Sequence, residues 1–292
     1  MTPILELRSV TKRFAGFTLE QINFALEPGY IMGFIGPNGA GKTTTIKLIM
    51  NLLRLDGGEI MIFGLDSRRH EQEIKQRIGF VFDESHFYEN LTIAEMTRLI
   101  APFYRSWDWA AYQKYITLFD LPERKLLAQF SRGMKMKYAL AVALSHGAEL
   151  LIMDEPTSGL DPLARSEFLD ILRDVILDER RSVLLSSHIT SDLDRIADYV
   201  TLINAGRIIF SKSKEELLDE YALVKGEKSV LEAGLRPYVV GLKEGQFGFE
   251  GLVTNKVEVQ RIAGSRAVFE QPNLEEILLF CVRGKANGHL GA

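Results

Sequence analysis

The chain is 292 residues long with 46% hydrophobic and 25% charged residues, an ordinary globular composition that excludes a disordered, collagenous or mucin-like protein. That length exceeds the roughly 100 to 200 residues of a typical domain, so one large domain with a small appendage, or two unequal domains, is expected. Thirty-five basic against 39 acidic residues leave a net charge of −4, which gives no global reason for nucleic-acid or anionic-membrane binding, and the single cysteine, Cys281, excludes an intrachain disulfide and a cysteine-rich zinc module.

Met1 to Val10 alternates apolar with polar residues and reads as a first strand and not as a signal peptide. Thr18 to Leu26 and Tyr30 to Phe34 read as further strands, joined by the turn formers Pro28 and Gly29. Past the glycine-rich stretch Gly36 to Gly41, a helix is expected over Thr43 to Leu53, then a strand over Glu59 to Phe63. From about Ser85 to Gly147 helix signals take over, among them the capping box Thr92-x-x-Glu95. Strand and helix alternation resumes at Leu150 to Met153, Leu163 to Leu177 and Val183 to Ser186, the pattern of a parallel α/β sheet. Tyr199 to Ile203 and Arg207 to Phe210 flank Asn204-Ala205-Gly206 as a hairpin, and the main domain is expected to end near Leu218. Residues 219–292 read as a small α+β appendage, with short alternating pieces at Tyr238 to Leu242, Lys256 to Arg261 and Arg266 to Phe269, a helix over Asn273 to Val282 and a frayed tail from Arg283. The longest apolar runs, Tyr138 to Leu144 and Ile277 to Val282, fall far short of the roughly 20 residues that span a bilayer.

Gly36-Pro37-Asn38-Gly39-Ala40-Gly41-Lys42-Thr43 fits G-x-x-x-x-G-K-T, follows an apolar strand and opens a helix. Its glycines let successive N–H groups face phosphate oxygens, Lys42 would bridge the β- and γ-phosphates, and the Thr43 hydroxyl would ligate Mg²⁺. The expected nucleotide site therefore runs from Gly36 through Thr43 to Thr44. Leu150 to Met153 is a strand buried on both faces that ends in Asp154 and Glu155. Ligands in open α/β sheets sit at the carboxyl ends of strands, so Asp154 is expected in the Mg²⁺ shell, Glu155 beside the attacking water and His188, after the next apolar strand, at the γ-phosphate. Ser131 is a plausible N-cap, yet Arg132, Lys135 and Lys137 crowd the same helix N-terminus, where cations oppose the macrodipole unless an anion docks.

Together these segments resemble the ATP-binding subunit of an ABC transporter over about Ile4 to Leu218. The resemblance covers Walker A (Gly36 to Thr43), the signature segment (Ser131 to Lys135), Walker B (Leu150 to Asp154, then Glu155), the D-loop (Ser158 to Asp161) and the switch histidine (His188). It implies a P-loop NTPase with a mixed sheet, an N-terminal β layer and a helical insertion at about 85–147. It also implies a homo- or heterodimer in which Ser131 and Gly133 serve the opposite ATP, adenine stacking on Phe14, and a separate transmembrane permease that holds the chain on the cytoplasmic face of the membrane. The signature reads Ser-Arg-Gly-Met-Lys where Ser-Gly-Gly-Gln is commonest, and Asp83, or its neighbour Glu84, stands where the family's Q-loop glutamine approaches the metal. The variant signature and the appendage resemble bacterial exporters of drugs, peptides or antibiotics. A soluble mechanical ATPase of the same class is the alternative; the long coiled-coil versions place hundreds of residues between Walker A and Walker B, whereas 112 positions separate Lys42 from Asp154.

Overall fold

The computed structural model describes residues 2–82 and 87–286. In chain order the strands and helices are β1 (Leu5–Phe14), β2 (Phe17–Leu26), β3 (Ile31–Ile35), α1 (Lys42–Ile49), β4 (Gly57–Ile62), β5 (Leu65–Asp66), α2 (Glu71–Arg77) and β6 (Ile78–Val81). A helical segment follows, α3 (Ile93–Ile100), α4 (Trp109–Leu118) and α5 (Arg132–Ser145). The chain then runs through β7 (Leu150–Asp154), α6 (Pro162–Ile176), β8 (Ser182–Ser187), α7 (Thr190–Ile196), β9 (Tyr199–Asn204), β10 (Arg207–Ser213) and α8 (Lys214–Glu220). The last part comprises β11 (Tyr221–Gly226), α9 (Lys228–Val230), β12 (Val239–Glu244), β13 (Phe249–Thr254), α10 (Lys256–Ala263), β14 (Ala267–Glu270) and α11 (Leu274–Ala286).

These strands form three sheets, ordered β2-β1-β4-β5, β10-β9-β3-β8-β7-β6 and β12-β13-β11-β14. The central one is parallel from β9 to β6, with β10 antiparallel at its edge. Its apolar runs are continuous because both faces are covered. Leu151, Met153, Val183 and Leu185 face a core shared with α5, α6 and α7, while Leu150, Ile152 and Leu184 face α1 and the N-terminal sheet. The helical insertion is present, and Thr92 and Glu95 make the expected reciprocal cap of α3.

Four expectations change. The strands joined at Pro28-Gly29, β2 and β3, do not share a sheet: the turn carries the chain from the N-terminal sheet into the central one. Helix α1 stops at Ile49, before Asn51 turns left-handed at φ 57°. Lys256 to Arg261 is helical, because Asn255 accepts the Glu258 N–H as an N-cap and commits the segment to α10. Finally, α11 continues to Ala286.

The hairpin tip between β9 and β10 braces two layers. Gly206 donates to the Ala40 carbonyl at 3.0 Å and accepts from the Glu20 N–H at 2.8 Å. A Cβ at Gly206 would lie 1.9 Å from the Thr18 carbonyl oxygen, so this contact needs glycine. The C-terminal sheet is covered on one side by α10 and on the other by α11, whose Leu274, Ile277, Phe280 and Cys281 join the core that α7 also lines. Cys281 is thus a buried packing residue.

Ile277→Ala should cost about 2–5 kcal/mol, the range for emptying a buried aliphatic site, and lower the midpoint of urea unfolding. His146, buried at the end of α5 with its ring stacked 3.8 Å from Tyr104, has its pKa pushed down from 6.5 to about 4 by desolvation. The unfolded chain therefore binds an extra proton between those values, and stability should be full above pH 6.5 and fall as pH drops toward 4. The loss should be roughly 3 kcal/mol, measured by unfolding at pH 7 and pH 4.5, and His146→Phe should flatten that slope.

Candidate functional site

β3 delivers the chain into the loop of residues 36–41, which wraps the start of α1. A Cβ at Gly36 would lie 2.2 Å from the Ile203 carbonyl oxygen, so only glycine lets the loop pass against β9. Pro37 and Ala40 shape the loop, the Ala40 N–H bonding the Pro37 carbonyl at 3.1 Å. Lys42 is 6% exposed, donates to the Gly36 carbonyl at 2.8 Å, and lies 3.2 Å from Glu155 Oε1.

Glu155 is reached through a kink. Asp154 ends β7, and Glu155 then adopts φ 51°, a left-handed conformation uncommon outside glycine, which turns its carboxylate out of the strand. Its Oε2 meets His188 Nδ1 at 2.6 Å and accepts the His188 backbone N–H at 3.2 Å. The catalytic candidates Glu155 and His188 are therefore in contact, and the Glu155 carboxylate lies between His188 and the nucleotide-site candidate Lys42. Asp154 lies directly beneath, 7% exposed, its Oδ1 accepting from Ser186 Oγ at 2.6 Å.

An open cleft of about 440 Å³ lies over this cluster. Asn38, Gly39, Gly41, Thr43 and Thr44 form its floor, and Glu155, Ser158 and His188 its far wall. Phe17 closes one side; Phe14 sits at the paired end of β1, its ring 6.5 Å from Phe17 and itself outside the lining. Ser131 caps α5 by accepting the Met134 N–H at 3.2 Å, and with Gly133 it stands apart from the cleft. Part of the cationic excess there is met within the chain, since Lys135 pairs with Glu89 and Lys137 with Glu167, each at 2.7 Å. Asp83 and Glu84 lie outside the described residues. Phe17 and Ser186 escape sequence reasoning, whereas Ser158 is named at the start of the D-loop; for Ser186 the available signal is a pair of serines that follows the apolar run Val183 to Leu185 and precedes His188.

A glycine loop between a parallel strand and a helix, with acidic residues ending another strand of the same sheet, defines a P-loop nucleotide hydrolase. The family profile described as ABC transporter matches residues 19–158, and one described as an AAA domain matches 124–193. The chain is 34% identical to the bacitracin transport ATP-binding protein BcrA of Bacillus licheniformis over 72% of its own length and 69% of that protein's. It is 31% identical to the ABC transporter ATP-binding protein YhcH of Bacillus subtilis, over 75% and 73%. A solved ATP-binding subunit of an ABC transporter superposes with a TM-score of 0.67 at 29% identity, covering 73% of this chain and 91% of that one. The chain belongs to the ABC transporter ATP-binding proteins; it binds ATP and hydrolyses it as the energising subunit of a transporter.

The Glu155 carboxylate competes with any phosphate for the Lys42 ammonium. Glu155→Gln should therefore tighten ATP binding about 3- to 10-fold in EDTA, in line with removing one partner of a partly buried charge-assisted contact. Titration with a fluorescent ATP analogue reads this, and unchanged or weaker binding would contradict it.

Proposed function

We propose that Lys42 and the N–H groups of residues 38–44 hold the ATP phosphates, that Glu155 orients and deprotonates the attacking water, and that His188 steadies both Glu155 and the γ-phosphate. The observation that carries this is the placement of Glu155 between Lys42 and His188 at the cleft mouth. A carboxylate in hydrogen-bond reach of the reacting water suits a general base. The donors present also suit Mg²⁺: the Thr43 side chain borders the cleft, and Asp154 Oδ2 has no hydrogen bond to the described residues. One carboxylate and one hydroxyl with phosphate and water oxygens is the usual company of a hard cation that keeps much of its water, and such an ion would offset phosphate charge.

In this reading Ser131 and Gly133 contact the ATP held by a second ATPase subunit, which is why they stand apart from this chain's own cleft, and Phe14 meets the adenine at the rim beside Phe17. Asp83 is the proposed Q-loop contribution to the metal shell. The ATPase body spans 1–218 and the appendage 219–292, a division supported by the separate third sheet. The transporter is of the exporter type, as the bacitracin transport relative suggests. No helix among the described residues is long and apolar enough to cross a membrane. A separate permease therefore supplies the membrane path and holds this chain at the cytoplasmic face. The docking groove for it is a cavity of about 310 Å³ between the helical segment and the central sheet, bordered by Phe82, Phe87, Ile100 and Tyr104.

Glu155→Gln should lower ATP turnover at least about 100-fold while ATP and Mg²⁺ drive the chain into a dimer on size exclusion; near-normal turnover would refute the assignment of Glu155. Tyr88 is 63% exposed, whereas Phe87 packs 4.7 Å from the buried Tyr138 ring. Tyr88→Ala should abolish permease-coupled transport with no change in melting temperature or ATP binding, and Phe87→Ala should uncouple and destabilise together. If both variants co-purify with the permease and support transport, docking occurs elsewhere.

A further inference from the structure

Ser186 sits on β8 between the two strands that carry the site, paired in register with Phe34 of β3 and Asp154 of β7. It is fully buried, in a strand whose preceding residues are Val183, Leu184 and Leu185. A serine hydroxyl has one proton and two acceptor positions. The Glu155 N–H points at Ser186 Oγ from 3.0 Å and occupies an acceptor position, so the hydroxyl proton is directed to Asp154 Oδ1, 2.6 Å away. The second bond is short in the way charge-assisted hydroxyl–carboxylate bonds are.

We infer that Ser186 is a positioning residue for the hydrolysis site, one hydroxyl fixing the carboxylate plane of Asp154 and the backbone kink of Glu155 together. With Oδ1 turned inward to Ser186, Oδ2 is the oxygen of Asp154 left for the metal. Glu155 is held in its left-handed conformation because its N–H is shared between Ser186 Oγ and, at 3.2 Å, the Ser186 carbonyl. That conformation turns the carboxylate toward Lys42 and His188. An apolar residue at 186 would leave Asp154 Oδ1 without the donor that orients it, free to rotate toward the phosphates. Ser187 differs: its Oγ accepts the Ile189 N–H at 2.9 Å and shapes the turn around His188.

This inference rests on the reading of Asp154 as a metal ligand, so Asp154→Asn is measured beside Ser186→Ala. Ser145→Ala is the control for deleting a buried hydroxyl elsewhere, since among the described residues Ser145 Oγ bonds only the Ala141 carbonyl of its own helix, at 2.6 Å. For each full-length variant, the Mg²⁺ concentration giving half-maximal ATPase is determined. The affinity for a fluorescent ATP analogue is read in EDTA and again in Mg²⁺. Ser186→Ala should bind the analogue in EDTA no more weakly than the parent, lose most of the Mg²⁺-dependent gain in affinity, and need about 10-fold more Mg²⁺ or higher, as removing partners of metal ligands typically requires. Its kcat should fall more than its KM for ATP rises. Ser186→Cys, similar in size and a weaker donor, should shift in the same direction by less, and it supplies the reading if the alanine variant does not fold. Ser145→Ala should lower the melting temperature and leave both Mg²⁺ curves in place. Parental Mg²⁺ curves in Ser186→Ala, with shifted curves in Asp154→Asn, would overturn the inference alone; parental curves in Asp154→Asn would overturn the metal role of Asp154 and the inference with it.

Discussion

The parallel pairing of β3, β8 and β7 is the constraint from which the site follows. Its register sets Ile35 opposite Ser187 and Asp154 opposite Ser186, so all three strands end at one level of the sheet. Neighbouring strands lie about 4.8 Å apart, so groups that follow those ends come within side-chain reach of one another. Lys42 stands 112 residues before Asp154 and 146 before His188, yet the three are gathered by the ladder alone. A one-residue slip of β8 would turn Ser186 away from Asp154 and Val183 and Leu185 out of their core, so the packing that stabilises the sheet also fixes the chemistry.

Around that junction the polar groups form one connected system. Glu155 joins Lys42 to His188, and Ser186 joins Asp154 to Glu155. Beyond the kink, Thr157 Oγ1 donates to the buried Asp192 at 2.6 Å, and Arg165 Nε reaches the other oxygen of Asp192 at 2.5 Å. The loop that leads to Ser158 is thereby tied to α7, four residues past His188. Buried polar networks of this kind are rigid when every member is satisfied and costly when one is lost.

What the sequence disclosed follows from how local each signal is. The glycine loop, the apolar strand ending in Asp154-Glu155 and the cap at Thr92 are written within a few neighbouring residues, and each lies where it was expected. The assignment of β2 and β3 to different sheets was not legible, because a Pro-Gly turn looks the same whether the chain reverses within a sheet or crosses to another. Lys256 to Arg261 alternates like a strand over so few residues that the Asn255 cap decides the outcome. Which of Phe14 and Phe17 walls the cleft depends on the facing of a paired strand end, and the role of Ser186 depends on two bonds to residues more than thirty positions away. Tertiary pairing supplies that information, and motif spacing does not.

The central claim is that the three strand ends form one hydrolytic site in which ATP takes Lys42 from Glu155. A structure of the chain with Mg²⁺ and a non-hydrolysable ATP analogue tests it most directly. The account predicts Lys42 Nζ on the β- and γ-phosphate oxygens and out of contact with Glu155, with the Glu155 carboxylate facing a water behind the γ-phosphate and His188 within hydrogen-bond distance of that phosphate. A nucleotide bound away from these strand ends, or a Lys42–Glu155 contact that persists with the phosphates in place, would contradict it.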